Sequence, residues 1–288
     1  MTNLLNPNKA KSSIRTILKS IAWKAQSIAV SAVKYIPYEP DLDSYVIFKP
    51  EEKPSEGDFA IPPESLRYGY EETEVFLDSG KEHTSKMLEI AEASDFRLTK
   101  GMRILDLGCC TGRMIRHLEP YSKDCEIWGT DIDARGIYWC KANLNPFRFA
   151  TTTTIPHLPF EDKYFDFIYT GSVFTHIDDL ADAWLLEIRR ILKPSGRFYI
   201  TIHDRNTVDL LDTVEKNHDL AVRLRTFDLY QEYKNKNNFN LLVLGRDTVS
   251  QVFYDIDYFR NAIDPIYEIL SINPEAYGFQ TALLLKRK

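Results

Sequence analysis

The stretch "ILDLGCCTGR", from Ile104 to Arg113, decides how the chain is interpreted. Its apolar run reads as a buried strand, and Asp106 lies close to the point where that strand gives way to a turn. Gly108 and Gly112 allow a turn whose backbone N–H groups approach a ligand closely, and a helix beginning there favours an anionic group. The stretch therefore predicts a strand, a turn and a helix, with a nucleotide-like ligand at the turn.

The acid and the cysteines of this stretch limit the kinds of ligand that could bind at the turn. A carboxylate at Asp106 would repel a pyrophosphate but can hold an ammonium group, and the dinucleotide pattern GxGxxG is not present. Cys109 and Cys110 are adjacent and cannot easily bridge to each other, and the chain's four cysteines show no CxxC spacing. We expect neither a disulfide framework nor a metal site, and reduced thiols indicate a cytoplasmic location.

Composition predicts a globular protein with a substantial core. The chain has 288 residues, of which 44% are hydrophobic and 12% aromatic. Its formal net charge of -6 argues against nucleic-acid binding, because neutralising phosphates requires an excess of Lys and Arg on some face.

Strands and helices alternate through the middle of the chain, which predicts a Rossmann-like, doubly wound and mostly parallel sheet covered by helices on both faces. Ligands of such sheets bind outside the carboxyl ends of the strands, where the strand order reverses. The predicted strands are 103–107, 126–130, 148–152, 165–170 and 197–203, and the predicted helices are 72–93, 111–118, 134–143 and 180–192.

The first 35 residues contain no acid and predict a basic amphipathic helix. At about 100° per residue, six apolar side chains share one face, and the segment is too polar to span a bilayer. Four interpretations of this segment remain open. It could lie on an anionic membrane surface through residues 9–34, pair with a helix of a partner protein, pack on its own domain, or be a frayed or targeting segment. Residues 36–60 are rich in Pro and acids and predict a linker. The shared-face residues are Ile14, Leu18, Ile21, Ala25, Ile28 and Ala32.

Four segments in order resemble class I S-adenosylmethionine-dependent methyltransferases. "ILDLGCCTGR" is similar to the family's first motif, and "WGTDIDARGIYWCKANL" (Trp128 to Leu144) to its second-strand motif. "LPFEDKYFDFIYTGSVFTHI" (Leu158 to Ile177) and "EIRRILKPSGRFYITIH" (Glu187 to His203) follow at the family's spacing. The resemblance implies a methyltransferase domain over 61–288, with a seven-stranded sheet and an antiparallel last strand. The residues after the fifth strand predict a helical insertion at about 205–250, in which an uneven helical pattern over 207–239 precedes a strand-like run from Phe239 and a helix that begins near Asp255.

The same resemblance implies S-adenosylmethionine as the cofactor. Asp131 would hold the ribose, Asp106 would lie near the amino group, and Ile155 would pack against the adenine ring. The sequence departs from the family where Cys110 stands in place of a usual Gly, and where Thr154 stands in place of an acid. The implied cofactor residues are Asp106, Gly108, Cys109, Cys110, Gly112, Asp131, Ile132, Thr154, Ile155 and Ser172. Asp133 is better suited to capping the following helix.

Methyl transfer to oxygen also requires that a proton be removed from the acceptor, which a histidine can do. His176 and His203 follow the fourth and fifth strands, on the expected acceptor side, and are the candidate catalytic residues. The alternative for each is a ring that only bonds the backbone. The insertion after the fifth strand is either a lid or a structural extension.

The amino-acid sequence of the later motifs most resembles that of bacterial members of this methyltransferase family that are associated with glycan and secondary-metabolite assembly. We therefore expect a cytoplasmic enzyme that O-methylates a sugar or related metabolite. A non-catalytic scaffold attached to a membrane or partner by the N-terminal helix is the alternative, and a dinucleotide-dependent oxidoreductase is disfavoured by "GCCTG" after Asp106.

Overall fold

A computed structural model describes residues 59–234, 236, 239–245 and 250–288. The predicted N-terminal helix (1–35), its membrane contact (9–34) and the predicted linker (36–60), except Phe59 and Ala60, lie outside the described residues. No helix of the described part is long and apolar enough to cross a membrane.

A seven-stranded sheet forms the centre of the fold, in the order β3-β2-β1-β4-β5-β9-β8. Neighbouring strands from β3 to β5 are parallel, whereas β9 runs antiparallel to both β5 and β8. The predicted doubly wound sheet with an antiparallel last strand is confirmed. The strands of this sheet are β1 (Arg103–Leu107), β2 (Glu126–Asp131), β3 (Arg148–Thr151), β4 (Phe165–Thr170), β5 (Leu192–Ile202), β8 (Tyr267–Tyr277) and β9 (Gln280–Arg287).

Helices cover both faces of the sheet. Residues Ile104 and Leu105 are both fully buried and face opposite helical layers, which explains why two adjacent residues of β1 are apolar. The described helices are α1 (Thr73–Glu92), α2 (Ala134–Asn143), α3 (Ala181–Ile191), α4 (Arg205–Asp212), α5 (Asp219–Leu224), α6 (Asp228–Tyr233) and α7 (Ile256–Ile263).

Two local predictions were wrong. The helix expected at 111–118 is instead a turn followed by a 3-10 helix, Ile115–Tyr121. Gly112 has a positive φ of 80°, which no α-helix contains, and Pro120 lacks the N–H that an α-helix needs. Strand β5 begins at Leu192, five residues before the expected start, because the chain already pairs with β4 there and then passes through an irregularity.

The insertion contains helices and then strands, so the helical part and the strand-like run after Phe239 are both present. After α4, α5 and α6, strands β6 (Leu241–Leu244) and β7 (Gln251–Tyr254) form a separate antiparallel pair. Val252 N–H donates to the Thr175 carbonyl at 2.9 Å, and Tyr254 N–H donates to the His203 carbonyl at 2.8 Å. The insertion is thus fixed to the loop after β4 and to the residue after β5, at the carboxyl edge of the sheet.

Candidate active site

The strand order reverses between β1 and β4. Asp106 near the end of β1 pairs in register with Gly129 of β2 on one side and Tyr169 of β4 on the other. In a doubly wound sheet this crevice is where ligands bind. The residues of the opening motif therefore lie at the binding edge.

The two glycines of the first turn have backbone conformations that other residues rarely adopt. Gly108 has φ 85°, and a Cβ added there would lie 2.2 Å from Cγ2 of Val173. Gly112 has φ 80°, and a Cβ added there would lie 2.3 Å from Cδ1 of Leu144. Both glycines are therefore required by the protein's own packing as well as by the turn.

Cys110 also lies in the left-handed region, with φ 50°, a conformation that glycine adopts more readily than other residues. Its N–H donates to Oδ2 of Asp131 at 2.8 Å, and its carbonyl accepts from the Cys140 thiol at 3.6 Å. Burial raises the pKa of the Cys110 thiol well above its usual range, and Asp131 raises it further. The thiol is therefore protonated and acts as a small side chain within the turn.

Asp131 connects this turn to the end of β2. Its Oδ2 accepts from Cys110 N–H, and its Oδ1 accepts from Asp133 N–H at 2.8 Å. Burial raises the pKa of Asp131 to about 6. Each carboxylate oxygen has a second lone pair, so the group can also accept a ribose hydroxyl.

Asp133 caps α2, as expected, by accepting from Arg135 N–H at 3.0 Å. Its other oxygen accepts from the Tyr68 hydroxyl at 2.6 Å. Tyr68 belongs to the segment that precedes α1, and the neighbouring Leu66 carbonyl accepts from the Thr111 hydroxyl at 2.8 Å. This segment therefore crosses both turns of the site, which the motif analysis missed because the contacts join residues 45 or more positions apart.

Asp106 is the most deeply buried acid of the site, with 2% of its surface exposed. Within the described part of the chain its Oδ2 has no hydrogen-bond partner. Burial raises the pKa of Asp106 to about 7, against smaller opposite effects of the nearby Tyr169 hydroxyl and of the Arg113 charge. A ligand ammonium group would supply the missing donor and the missing charge.

The loop after β3 carries the residues expected near the adenine. Thr152 N–H donates to the Asp131 carbonyl at 2.8 Å, so this loop begins beside the ribose-binding candidate. Ile132 and Thr154 are half-buried, whereas Ile155 is 44% exposed. An exposed apolar side chain at this edge is suited to packing against a flat ring.

A hydrogen-bond network fixes the loop after β4. Ser172 has φ 60°, its N–H donates to the Thr201 hydroxyl at 2.7 Å, and its Oγ accepts from Nε2 of Gln280 at 2.8 Å. The Thr201 hydroxyl in turn donates to Oε1 of Gln280 at 2.7 Å. Sequence reasoning did not identify Thr201 or Gln280, because Gln280 lies 108 residues after Ser172 and belongs to no motif.

His176 lies on the exposed part of that loop, with its ring held by the insertion. Nδ1 of His176 lies 2.7 Å from the Ser250 carbonyl, which can only accept a hydrogen bond. Nδ1 therefore carries the proton, and Nε2 of the neutral ring keeps its lone pair.

His203 lies in the core and is only 2% exposed. Its ring lies between those of Phe253 and Phe279, at centroid distances of 4.9 and 5.9 Å, and its Nε2 is 3.2 Å from Oε1 of Gln251. Burial lowers the pKa of His203 to about 3. The structure thus separates the two candidate histidines into an accessible one and an enclosed one.

Part of the chain is similar to known methyltransferases. Residues 105–200 match the family model described as "Methyltransferase domain". The chain is 28% identical over 142 residues to a fatty-acid O-methyltransferase of Mycolicibacterium smegmatis, which covers 47% of this chain and 51% of that protein. It is 32% identical over 103 residues to a sterol 24-C-methyltransferase of Schizosaccharomyces pombe, covering 34% of this chain and 27% of that protein. The chain thus spans about half or less of these relatives.

Solved structures share the fold. The PH0226 protein of Pyrococcus horikoshii superimposes with a TM-score of 0.53 and 19% identity, over 77% of this chain and 99% of that chain. An S-adenosylmethionine-dependent methyltransferase of Clostridium acetobutylicum gives a TM-score of 0.50 and 15% identity, over 72% of this chain and 91% of that chain. The chain therefore shares the fold of class I S-adenosylmethionine-dependent methyltransferases.

The described residues fit the cofactor of this class. Asp106 offers a buried carboxylate oxygen without a partner, which suits an ammonium group. Gly108 and Gly112 keep the turn free of side chains that would block the ligand, and Asp131 retains lone pairs for ribose hydroxyls. Among the described residues no cluster of His, Cys, Asp or Glu has the geometry of a metal site.

Proposed function

We propose that this protein transfers a methyl group from S-adenosylmethionine to a hydroxyl group of a small acceptor, a sugar or related metabolite. The observation that carries the proposal is the orientation of His176, whose Nδ1 faces the Ser250 carbonyl and leaves Nε2 as a base. Asp178 and Asp179 lie two and three positions after His176 in the chain and suit an acceptor with several hydroxyls.

The residues of the chain have separate roles in this reaction. Asp131 binds the ribose, Asp106 binds the amino group, and Ile155 with Thr154 contacts the adenine. Bound S-adenosylmethionine supplies an electrophilic methyl group on a sulfonium. His176 accepts the hydroxyl proton at Nε2, and the loop after β4 holds the acceptor in line. We assign His203 a supporting role, because its enclosed ring helps to fix β7 beside the end of β5.

A second acceptor class is a fatty acid, which the similarity to the fatty-acid O-methyltransferase favours. A carboxylate acceptor is already ionised at neutral pH and needs no base. The two classes therefore differ in their dependence on His176.

Calorimetric titration followed by an acceptor screen tests the proposal. We expect micromolar binding of S-adenosylmethionine and no binding of NADH, and then transfer of a labelled methyl group to a hydroxylated acceptor. If S-adenosylmethionine does not bind, the non-catalytic scaffold becomes the better explanation. Transfer only to fatty acids would replace the sugar assignment with the second acceptor class.

We further propose that residues 9–34 contact an anionic membrane surface and that the protein is cytoplasmic. The absence of acids in the first 35 residues supports the contact, and four free thiols support the compartment. We expect the intact protein to sediment with vesicles rich in phosphatidylserine and not with phosphatidylcholine vesicles. A variant without residues 1–35 should remain in the supernatant, and sedimentation of that variant would exclude this segment as the membrane contact.

A further inference from the structure

An open cavity lies at the amino edge of the sheet, on the opposite side from the candidate active site. It is formed where the chain enters β1, β2 and β3, and its volume of about 450 Å³ is within the range of small-molecule pockets. None of its lining residues belongs to the crevice at the carboxyl edge. The charged residues that line it are Arg103, Lys123, Asp124, Glu126 and Arg148.

Glu126 is the acid that lies between the two arginines of this cavity. Its Oε1 accepts from the Trp128 indole N–H at 2.7 Å and from the Tyr164 hydroxyl at 2.7 Å. The Arg148 guanidinium donates to the same oxygen at 3.1 Å, and Nε of Arg103 lies 3.7 Å from Oε2. One negative charge is therefore shared by two guanidinium groups, and one of the two positive charges is left uncompensated.

Aromatic rings hold both guanidinium groups in place. Cζ of Arg103 lies 4.2 Å from the ring centroid of Tyr164, and Cζ of Arg148 lies 5.6 Å from that of Trp128. Both arginine side chains nevertheless remain open to solvent, with 41% and 57% of their surface exposed. A guanidinium has five N–H donors, and the contacts above use few of them. Most of these donors are therefore available to a ligand, on groups that are already oriented.

Lys123 and Lys100 make the surroundings of the cavity more positive. Lys123 is exposed and makes no ion pair with a residue of the described part. The charge of Asp124 is compensated from outside the lining, because Lys100 lies 3.4 Å from its Oδ1. With Lys100 included, four positive and two negative charges surround the cavity, a net charge of +2. An anion that entered would thus meet a favourable field.

We propose that this cavity binds the phosphate monoester group of a small ligand. Such a group carries nearly two negative charges at neutral pH and has three acceptor oxygens, which complements the net charge and the free guanidinium donors. The cavity also has room for an organic part beyond the phosphate. The same monoester group can belong to a soluble metabolite or to a lipid headgroup. This assignment does not depend on the proposed methyl transfer, because it uses none of the residues assigned to the cofactor or the acceptor.

Calorimetric titration of the full-length protein with glycerol 3-phosphate tests the proposal, at pH 8 and constant ionic strength. We expect saturable binding of glycerol 3-phosphate and none of glycerol. Arg148→Met should weaken binding by about 10-fold, as for loss of a charge-assisted hydrogen bond. Lys123→Met should weaken it by about 2- to 5-fold, the range of an exposed ion pair. Asp124→Asn should strengthen it by about 2- to 5-fold, because it removes an acid from the lining.

Lys286 provides a matched control for loss of one positive charge. It lies at the same edge of the sheet, where its Nζ is 3.2 Å from Oε2 of Glu268. Strand β9 is three strands away from β1, which places Lys286 about 14 Å from the cavity, beyond the Debye length of about 10 Å at 0.1 M salt. Lys286→Met should therefore bind glycerol 3-phosphate within about 1.5-fold of wild type.

Equal weakening by Lys286→Met and Lys123→Met would show that the ligand responds only to net charge, and it would overturn the proposal. Wild-type protein that does not bind glycerol 3-phosphate saturably would overturn it as well. If Arg148→Met does not fold by circular dichroism, Lys123→Met and Asp124→Asn decide, because both side chains are exposed and their expected effects have opposite signs.

Flotation with vesicles that contain phosphatidic acid separates the two sources of the phosphate. If the ligand is a soluble metabolite, Arg148→Met and Lys123→Met should weaken binding of glycerol 3-phosphate and leave vesicle binding unchanged. If it is a lipid headgroup, both variants should also lower vesicle binding, and glycerol 3-phosphate should compete with the vesicles. Variants that change neither measurement would overturn the proposal for both sources.

Discussion

Replacing His176 by alanine should lower kcat for a hydroxyl acceptor by about 100- to 10,000-fold, the range that general-base catalysis contributes. The reason is geometric: the ring is fixed through Nδ1 at the Ser250 carbonyl, so removing it deletes the one oriented base identified on this loop. The measurement is steady-state transfer of labelled methyl at saturating cofactor. The KM for S-adenosylmethionine should change little, because none of the cofactor contacts described above involves His176.

A carboxylate acceptor provides the internal control for this variant. Because an ionised carboxylate has no proton to lose, His176→Ala should change its methylation by less than about 10-fold. A large and equal loss for both acceptor types would show that His176 binds or positions the acceptor instead of removing a proton. An unchanged rate with a hydroxyl acceptor would exclude it as the base.

The sequence predicted β1 and β4 accurately because most of their residues are buried. "RILDL" and "FDFIYT" are mainly apolar runs bounded by turn residues, and both strands have the predicted bounds. The role of Asp133 was predictable for a similar reason: an acid directly before a helical pattern is a local capping signal, and the cap is present.

Features that depend on distant contacts could not be predicted. The turn at Cys110 and Gly112 delays the following helix because positive φ values there are imposed by packing against Leu144 and by the Asp131 carboxylate. The environment of His203 depends on Phe253 and Phe279, which come from the insertion and from the β8–β9 turn. No local pattern distinguishes such a histidine from an exposed one.

Asp106→Asn should have opposite effects on ligand binding and on stability. In the folded protein the pKa of Asp106 is about 7, above the roughly 3.9 expected for an unfolded chain. The stability that this group contributes is therefore fully present below about pH 4 and is lost as the pH rises through about 7. At pH 8 the buried, ionised carboxylate destabilises the ligand-free protein, and asparagine removes that charge.

We expect ligand-free Asp106→Asn to be more stable than wild type at pH 8 by about 1–3 kcal/mol, and to lose this advantage near pH 5. Thermal unfolding at the two pH values measures the difference. Asp131→Asn is the matched control, because both carboxylate oxygens of Asp131 accept backbone N–H groups. That variant should lose stability by about 1–2 kcal/mol, since an amide nitrogen would face one of those donors.

Binding should respond in the opposite direction, because the same unpaired charge is what an ammonium group requires. Wild-type affinity for S-adenosylmethionine should rise between pH 6 and pH 8 as Asp106 ionises, and protons should be released on binding. The Asp106→Asn variant should bind about 10- to 100-fold more weakly, and its affinity should not depend on pH in this way. Calorimetry in two buffers of different ionisation enthalpy measures the released protons. A pH-independent wild-type affinity, or an asparagine variant that binds equally well, would show that the ammonium group lies elsewhere. If the asparagine variant is more stable and still binds normally, burial of the Asp106 charge destabilises the protein without contributing to ligand binding. The two measurements together therefore show whether the group that lowers stability is also the group that binds the ligand.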